Sequence, residues 1–122
     1  MDDKFYSRGD VVLVPFPFVT DFTKAKARPA VVIQNDIANR FSPNLILALV
    51  SSTVPKKSYP FHYRIRGDSK IAAQAGLERD SIVKTEVIIT IPKTSILKKV
   101  GSLPAEAMND VDECLRVSLG LS

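Results

Sequence analysis

The run Asn44–Val50, Asn-Leu-Ile-Leu-Ala-Leu-Val, constrains this chain more than any other stretch. It is strand-length, and its apolar residues fall on both alternating faces, so as a strand it must lie centrally with cover above and below. The other apolar runs are equally short. Val11–Val14 follows a Gly9-Asp10 turn, Pro29–Gln34 forms a second strand, and Phe61–Ile65 alternates like a strand with one solvated face. Ser81–Ile91 is a further strand whose pattern breaks near Thr85-Glu86, and Leu97–Leu103 reads as a last short one. Pro15 and Pro17 cannot sit in a central ladder, so Pro15–Phe18 is expected to leave the sheet and present its phenylalanines from a rim. Val19–Ala27 then reads as a loop carrying Lys24 and Lys26.

Helical signals are few. Asn35 can cap a short helix through Ile37–Arg40, which Pro43 stops, and Ile71–Gln74 can make a helical turn. Pro104 suits the first position of a helix reaching Leu119, with Met108, Val111, Leu115 and Leu119 on one face and Cys114 and Leu121 at its flank. Five or six strands with one amphipathic helix predict an α+β fold: a small, strongly bent antiparallel β-barrel, with a short helix after strand 2 and a C-terminal helix. At 122 residues the chain is read as a single domain spanning 1–122, with residues 1–7 a poorly anchored lead-in.

Composition removes several functions. One cysteine permits no intrachain disulfide, and one histidine permits no paired-histidine zinc motif, so neither metal nor cofactor is expected. No apolar stretch approaches membrane-spanning length, and Asp2-Asp3 stand where a signal peptide needs basic residues, so a cytoplasmic protein is expected. Net charge +4 favours a polyanionic partner only weakly; placement matters more.

Aromatic residues interleave with lysines at predicted strand ends: Phe16, Phe18, Phe22 with Lys24, Lys26, and Tyr59, Phe61 with Lys56, Lys57. Rings can stack on bases while cations track phosphates, as single-stranded nucleic acid requires. The plainer alternative is that the rings fill the barrel ends. Arg28 and Ser51 form a sharper pair, since both flank central strands. Pro29 stiffens the backbone beside Arg28, whose guanidinium stays charged and matches a phosphate bidentately. Alternatively, Arg28 is a solvated edge residue and Ser51 a hydroxyl capping its own backbone. No Gly-x-Ser-x-Gly surrounds Ser51, which argues against a hydrolase nucleophile. His62, alone, is catalytic or merely structural, and Cys114 reads as a small buried hydrophobe.

Two blocks carry a resemblance: Arg8-Gly9-Asp10-Val11-Val12-Leu13-Val14-Pro15-Phe16-Pro17-Phe18 and Arg28-Pro29-Ala30-Val31-Val32-Ile33-Gln34-Asn35-Asp36. With Asn39–Pro43, Gly76–Ser81 and the Leu103–Leu119 helix, they make the chain similar to the MazF/PemK family of toxin ribonucleases, above all its bacillus-type chromosomal members. The resemblance implies an SH3-like barrel of the MazF/PemK/CcdB-like toxin fold, working as a homodimer. It also implies metal-independent cleavage of single-stranded RNA, commonly mRNA, by the toxin of a type II toxin–antitoxin pair. The resemblance further implies that RNA crosses a groove of the dimer, which a MazE-like antitoxin would block with an extended acidic segment. The family's catalytic arginine matches Arg28, and its threonine matches Ser51, a departure that keeps the hydroxyl but loses the methyl restraining its rotamer. Ser52 or Thr53 is the equivalent if the register slips. Asn35, Tyr59, Pro60 and Phe61 match positions along the RNA path, and His62 a histidine near the active site. Val87 stands where close relatives carry a glutamine, which implies a different sequence preference.

The chemistry follows from the residues. RNA brings its own nucleophile, the 2′-hydroxyl, so the protein needs to stabilise charge on a phosphorane-like transition state and manage two protons. Arg28 can do the first with a charge-assisted contact and Ser51 can add a donor. An arginine is a poor base at neutral pH, so the base is left between His62 and water. Two other readings stand beside the ribonuclease: a protein-binding toxin on the same fold, like gyrase-poisoning relatives, and an inactive nucleic-acid-binding regulator.

Overall fold

The central run forms strand β3 (Asn44–Ser51), flanked by β2 (Lys26–Val32) and β5 (Ser81–Pro92), as its two-faced apolar pattern requires. The computed structural model describes residues 5–16 and 26–122. With β1 (Asp10–Phe16), β4 (His62–Ile65) and β6 (Lys98–Ser102), the strands make one antiparallel sheet in the order β4-β5-β3-β2-β1-β6, curled into a half-barrel. Among the described residues three α-helices accompany it: α1 (Asp36–Phe41), α2 (Lys70–Ala75) and α3 (Ala105–Leu119). None of the described helices is long and apolar enough to cross a membrane.

Alternation along the strands builds two cores. Val11, Val31, Ala48, Val50, Ile65 and Val83 face one way and pack against α2 and α3 through Ala72, Ala75, Met108, Val111 and Leu115. Val12, Val14, Ala30, Val32, Leu45, Leu47 and Ile91 face the other way, around Tyr6 and Ile96. Each fully buried Val, Leu or Ile contributes about 1.5–3 kcal/mol, and β3 supplies side chains to both cores. Tyr6 is buried in the second core, so the chain is anchored earlier than a lead-in through residue 7 allows. Burial, and then Asp10, hold its phenol above the usual tyrosine range.

The structure corrects the rim reading of the first proline segment. Pro15 and Phe16 stay within β1, paired to Ala27 and Lys26, and Lys26 and Ala27 belong to β2 rather than a loop. The physical reason is that the neighbours stop short. β6 pairs β1 only as far as Leu13, and β3 pairs β2 only as far as Ala30. Pro15 and Pro29 therefore sit on strands with one open side, where a missing N–H removes no ladder bond. β1 and β2 project beyond the sheet as a two-stranded ribbon, and β2 ends at Val32 instead of Gln34.

The break near Thr85-Glu86 is real. Ala48 faces Ile88 and Leu49 faces Lys84, leaving Thr85, Glu86 and Val87 as a bulge on β5. Asn35 caps α1, its Oδ1 accepting the Ala38 N–H at 2.8 Å. α2 ends at Gly76, whose φ of +73° suits a left-handed cap, and it lies directly on β6, where a Cβ on Gly101 would come 2.3 Å from the Gln74 carbonyl oxygen. α3 begins after Pro104 and buries Met108, Val111, Cys114 and Leu115. Leu119, in the last turn, is 54% exposed and with Leu115 borders an open cleft over Ile46 of β3 and Ile88 of β5.

Candidate active site

Arg28 lies in the projecting part of β2, opposite Val14 on β1. The β2–β3 ladder closes with Ala30 opposite Leu49, and continuing that register sets Arg28 opposite Ser51 where the two strands part. Residues opposite one another across antiparallel strands put their side chains on the same face. By this register Arg28 and Ser51 fall on the same face of the sheet's open end, the Val14 face, with Arg28 exposed and Ser51 half-buried, and Arg28 also lines the cleft bordered by Ser52.

Ser51 Oγ accepts the Thr53 backbone N–H at 3.1 Å. The backbone-capping alternative is thus present, yet it uses only the oxygen's acceptor capacity. The hydroxyl proton is left to donate elsewhere, so capping orients the group without consuming it. Ser52 points to the opposite face. It borders a cleft of about 250 Å³ with Leu13, Pro29, Val50, Leu77 and Arg79, beside Arg28. Thr53 is exposed at the start of the loop that follows.

The same rows extend across β5 to β4. Ser51 pairs Ile82, which pairs Arg64; Leu49 pairs Lys84, which pairs His62. Arg28, Ser51, Lys84, Arg64 and His62 therefore share one face of the sheet. His62 is three strands from β2, roughly 14 Å along the sheet, so it lies beside the Arg28–Ser51 pair rather than within it.

His62 is mostly enclosed, its side chain 7% exposed. Its Nε2 lies 2.8 Å from Glu86 Oε2 on the β5 bulge, while Nδ1 is buried with no partner among the described residues. Donation from Nε2 to the carboxylate leaves Nδ1 as the bare nitrogen, the tautomer that buries no unpaired N–H. The ring meets Phe61 edge-on at 4.7 Å and Tyr59 at 5.5 Å, and Tyr59 and Phe61 stack at 5.3 Å. Thr85 Oγ1 donates to the Phe61 carbonyl at 2.6 Å, fixing the cluster to the bulge from below. Tyr59 is 37% exposed with Lys57 Nζ 5.9 Å from its ring centre, and Pro60 is exposed beside it. These residues form an aromatic platform next to cations.

Of the other expected contacts, Phe16 closes β1 half-buried and Lys26 is exposed opposite it. Phe18 and Lys24 lie outside the described residues. Asn35 follows the far end of β2, some 20 Å from Arg28 at ~3.3 Å per residue, with its side chain engaged as the α1 cap. The region around Lys84 reads from sequence as a basic strand end, whereas sequence reasoning passed over Arg64. Period-two alternation in Phe61–Ile65, which puts Arg64 on the face of His62, was the available signal.

Residues 7–119 match the family described as PemK-like, MazF-like toxin of type II toxin–antitoxin system. The chain belongs to that toxin family. It is 41% identical over 114 residues to endoribonuclease EndoA of Bacillus subtilis (strain 168), covering 93% of this chain and 94% of the relative. Solved toxins share the fold at low identity. Mycobacterium tuberculosis toxin MazF-mt6 superposes with a TM-score of 0.74 at 18% identity, covering 93% of this chain and 98% of that one. A MazE–MazF structure from Deinococcus radiodurans gives 0.72 at 21% identity, covering 98% and 100%. In this toxin-family chain, then, the curled sheet is family architecture.

Proposed function

We propose that this chain is a toxin endoribonuclease that cleaves single-stranded RNA, mRNA among it, using the substrate's 2′-hydroxyl as nucleophile. The observation supporting the reading is the β2–β3 register, which, carried two residues past the Ala30–Leu49 pair, aligns Arg28 with Ser51 at the open end of the sheet. A phosphate seated between them receives a bidentate, charge-assisted contact from the guanidinium and a further bond from the serine hydroxyl. Both contacts strengthen as negative charge builds on the phosphorane oxygens, which is where preorganised donors accelerate reaction. The 2′-hydroxyl proton passes to water, and Arg28 or water supplies the proton to the departing 5′-oxygen. Products are a 2′,3′-cyclic phosphate or 3′-phosphate and a 5′-hydroxyl; no metal or cofactor enters this scheme.

Tyr59 and Phe61 offer ring faces for bases, with Lys56, Lys57 and Lys26 along the backbone. In this reading Phe16 and Thr53 border the same RNA path, with Phe18 and Lys24 assigned to it from the sequence, while Ser52 faces away from it and Asn35 lies at its distal end. His62 serves from beneath, holding the platform against Glu86. The toxin acts in the cytoplasm as a homodimer, in keeping with the exposed Val117, Leu119 and Leu121 at the end of α3, and a MazE-like antitoxin lays an extended acidic segment over the cations. Purified protein incubated with a long RNA in EDTA tests the proposal. New 5′ ends at a recurrent short motif are expected, with no cleavage where the scissile 2′-hydroxyl is replaced by hydrogen. Loss of cutting in EDTA, or cutting of the deoxy substrate, overturns the mechanism.

A further inference from the structure

The connection from β3 to β4 carries Lys56, Lys57 and Tyr59, all exposed, and it holds no helix or strand of its own between Ser52 and Phe61. A loop of this kind gains its shape from what ties it down. One tie is unusual. Arg64, on β4, aims its guanidinium back along the chain, with Nη2 donating to the Pro55 carbonyl at 2.6 Å and lying 3.3 Å from the Lys57 carbonyl. The other tie is at the far end, where Thr85 Oγ1 holds the Phe61 carbonyl. Arg64 also sits in the Arg28–Ser51–Ile82 row, on the face where the scissile phosphate is placed.

We infer that Arg64 is a positioning residue, a latch that fixes the β3–β4 loop in the geometry that presents Lys56, Lys57 and Tyr59 to RNA beside Arg28 and Ser51. The inference rests on the RNA-cleaving reading of that face. Its logic is preorganisation. One nitrogen, Nη2, reaches two carbonyls two residues apart, and the rigid guanidinium holds it there at less entropic cost than a flexible, strongly hydrated ammonium would. The bonds are charge-assisted, hence stronger than neutral ones. With the loop already ordered, RNA binding need not meet the conformational cost of ordering it, and that saving appears in affinity rather than in the chemical step. Arg64 does not touch the reacting phosphate, so its loss should leave turnover at saturation intact.

Three measurements on the full-length protein decide the matter, using Arg64→Gln and Arg64→Lys. The first is native-state trypsin cleavage after Lys56 and Lys57, followed by mass spectrometry, which needs no RNA. Arg64→Gln should be cut about 10-fold faster there, the loss expected for hydrogen bonds from a charged donor, while cleavage elsewhere is unchanged. The second is cleavage kinetics on a short single-stranded RNA, where KM should rise about 10-fold by the same measure while kcat stays within about 2-fold. The third is the lysine variant, which keeps the charge and should recover less than half of the lost protection and affinity. Equal trypsin protection in Arg64→Gln and wild type overturns the latch. Faster loop cleavage with KM and kcat both unchanged overturns its role in RNA binding, as does full recovery by lysine, which would make the charge alone responsible. If the wild-type protein neither cuts nor binds RNA, the ribonuclease reading fails and the RNA role of Arg64 with it, while the trypsin measurement still judges the latch itself.

Discussion

Replacing Arg28 with alanine, alone and together with Ser51→Ala, tests the proposed site most directly. Arg28 is exposed and reaches beyond the core, so its removal should change folding stability by no more than about 0.5 kcal/mol. Activity should respond much more. Loss of one preorganised charged donor costs about 10²–10³ in rate, and an exposed site belongs at the lower end, so single-turnover cleavage should fall about 100-fold, or ~2.7 kcal/mol. Ser51→Ala removes one neutral donor worth about 1 kcal/mol, together with the bond that orients the turn at Thr53, so it should cost about 5–10-fold. If both side chains grip one phosphate their effects cannot be independent, and the double mutant should depart from additivity by more than about 0.5 kcal/mol. The assay is single-turnover cleavage of a 5′-labelled RNA in EDTA, with circular dichroism melts to check folding. A folded Arg28→Ala protein with undiminished rate removes Arg28 from the mechanism. A strictly additive double mutant means that Arg28 and Ser51 serve different atoms, and the register argument would fail.

Other consequences follow from the packing. Gly101→Ala should destabilise the protein by more than about 2 kcal/mol in urea unfolding, because the new Cβ meets the Gln74 carbonyl of α2 at 2.3 Å with no flexible group to give way. Burial, then Asp110 and Glu113, push the Cys114 thiol above its usual range, so iodoacetamide at neutral pH should leave the native protein unmodified and label it on unfolding; prompt native labelling would refute the burial. The Arg8 backbone N–H, 2.7 Å from Asp36, and then Asn39 hold the Asp36 carboxylate below its usual range. A carboxylate that is more acidic in the folded state contributes stability above the unfolded value near ~3.9 and loses it as pH falls further. Asp36→Asn should therefore lower Tm slightly at pH 6 and leave it unchanged at pH 2–3, and a loss equal at both pH values would refute the linkage.

The central position of β3, the capping of α1 by Asn35, the break in β5 and the burial of Cys114 were all legible in the sequence. Each is a local matter of alternation, capping chemistry or side-chain size, and so is written in neighbouring residues. The ribbon formed by β1 and β2 was not legible, since proline propensity argued against it. Only the shortness of β6 and of the β2–β3 ladder, a long-range fact, leaves Pro15 and Pro29 an open side. Leu119 likewise follows helical periodicity yet stays half exposed, bordering an open cleft over β3 and β5 instead of packing into the core. At the site, the sequence alone could nominate Arg28, Ser51 and His62 by residue type and by resemblance, but could not say which of them meet. Strand register, carried past the last Ala30–Leu49 pair, aligns Arg28 with Ser51, while His62 stands three strands away, enclosed against Glu86. It also brought Arg64, 36 residues further along the chain, into the row of Arg28. Chemistry belongs to residues one at a time, whereas proximity between distant residues is created only when the ladders close.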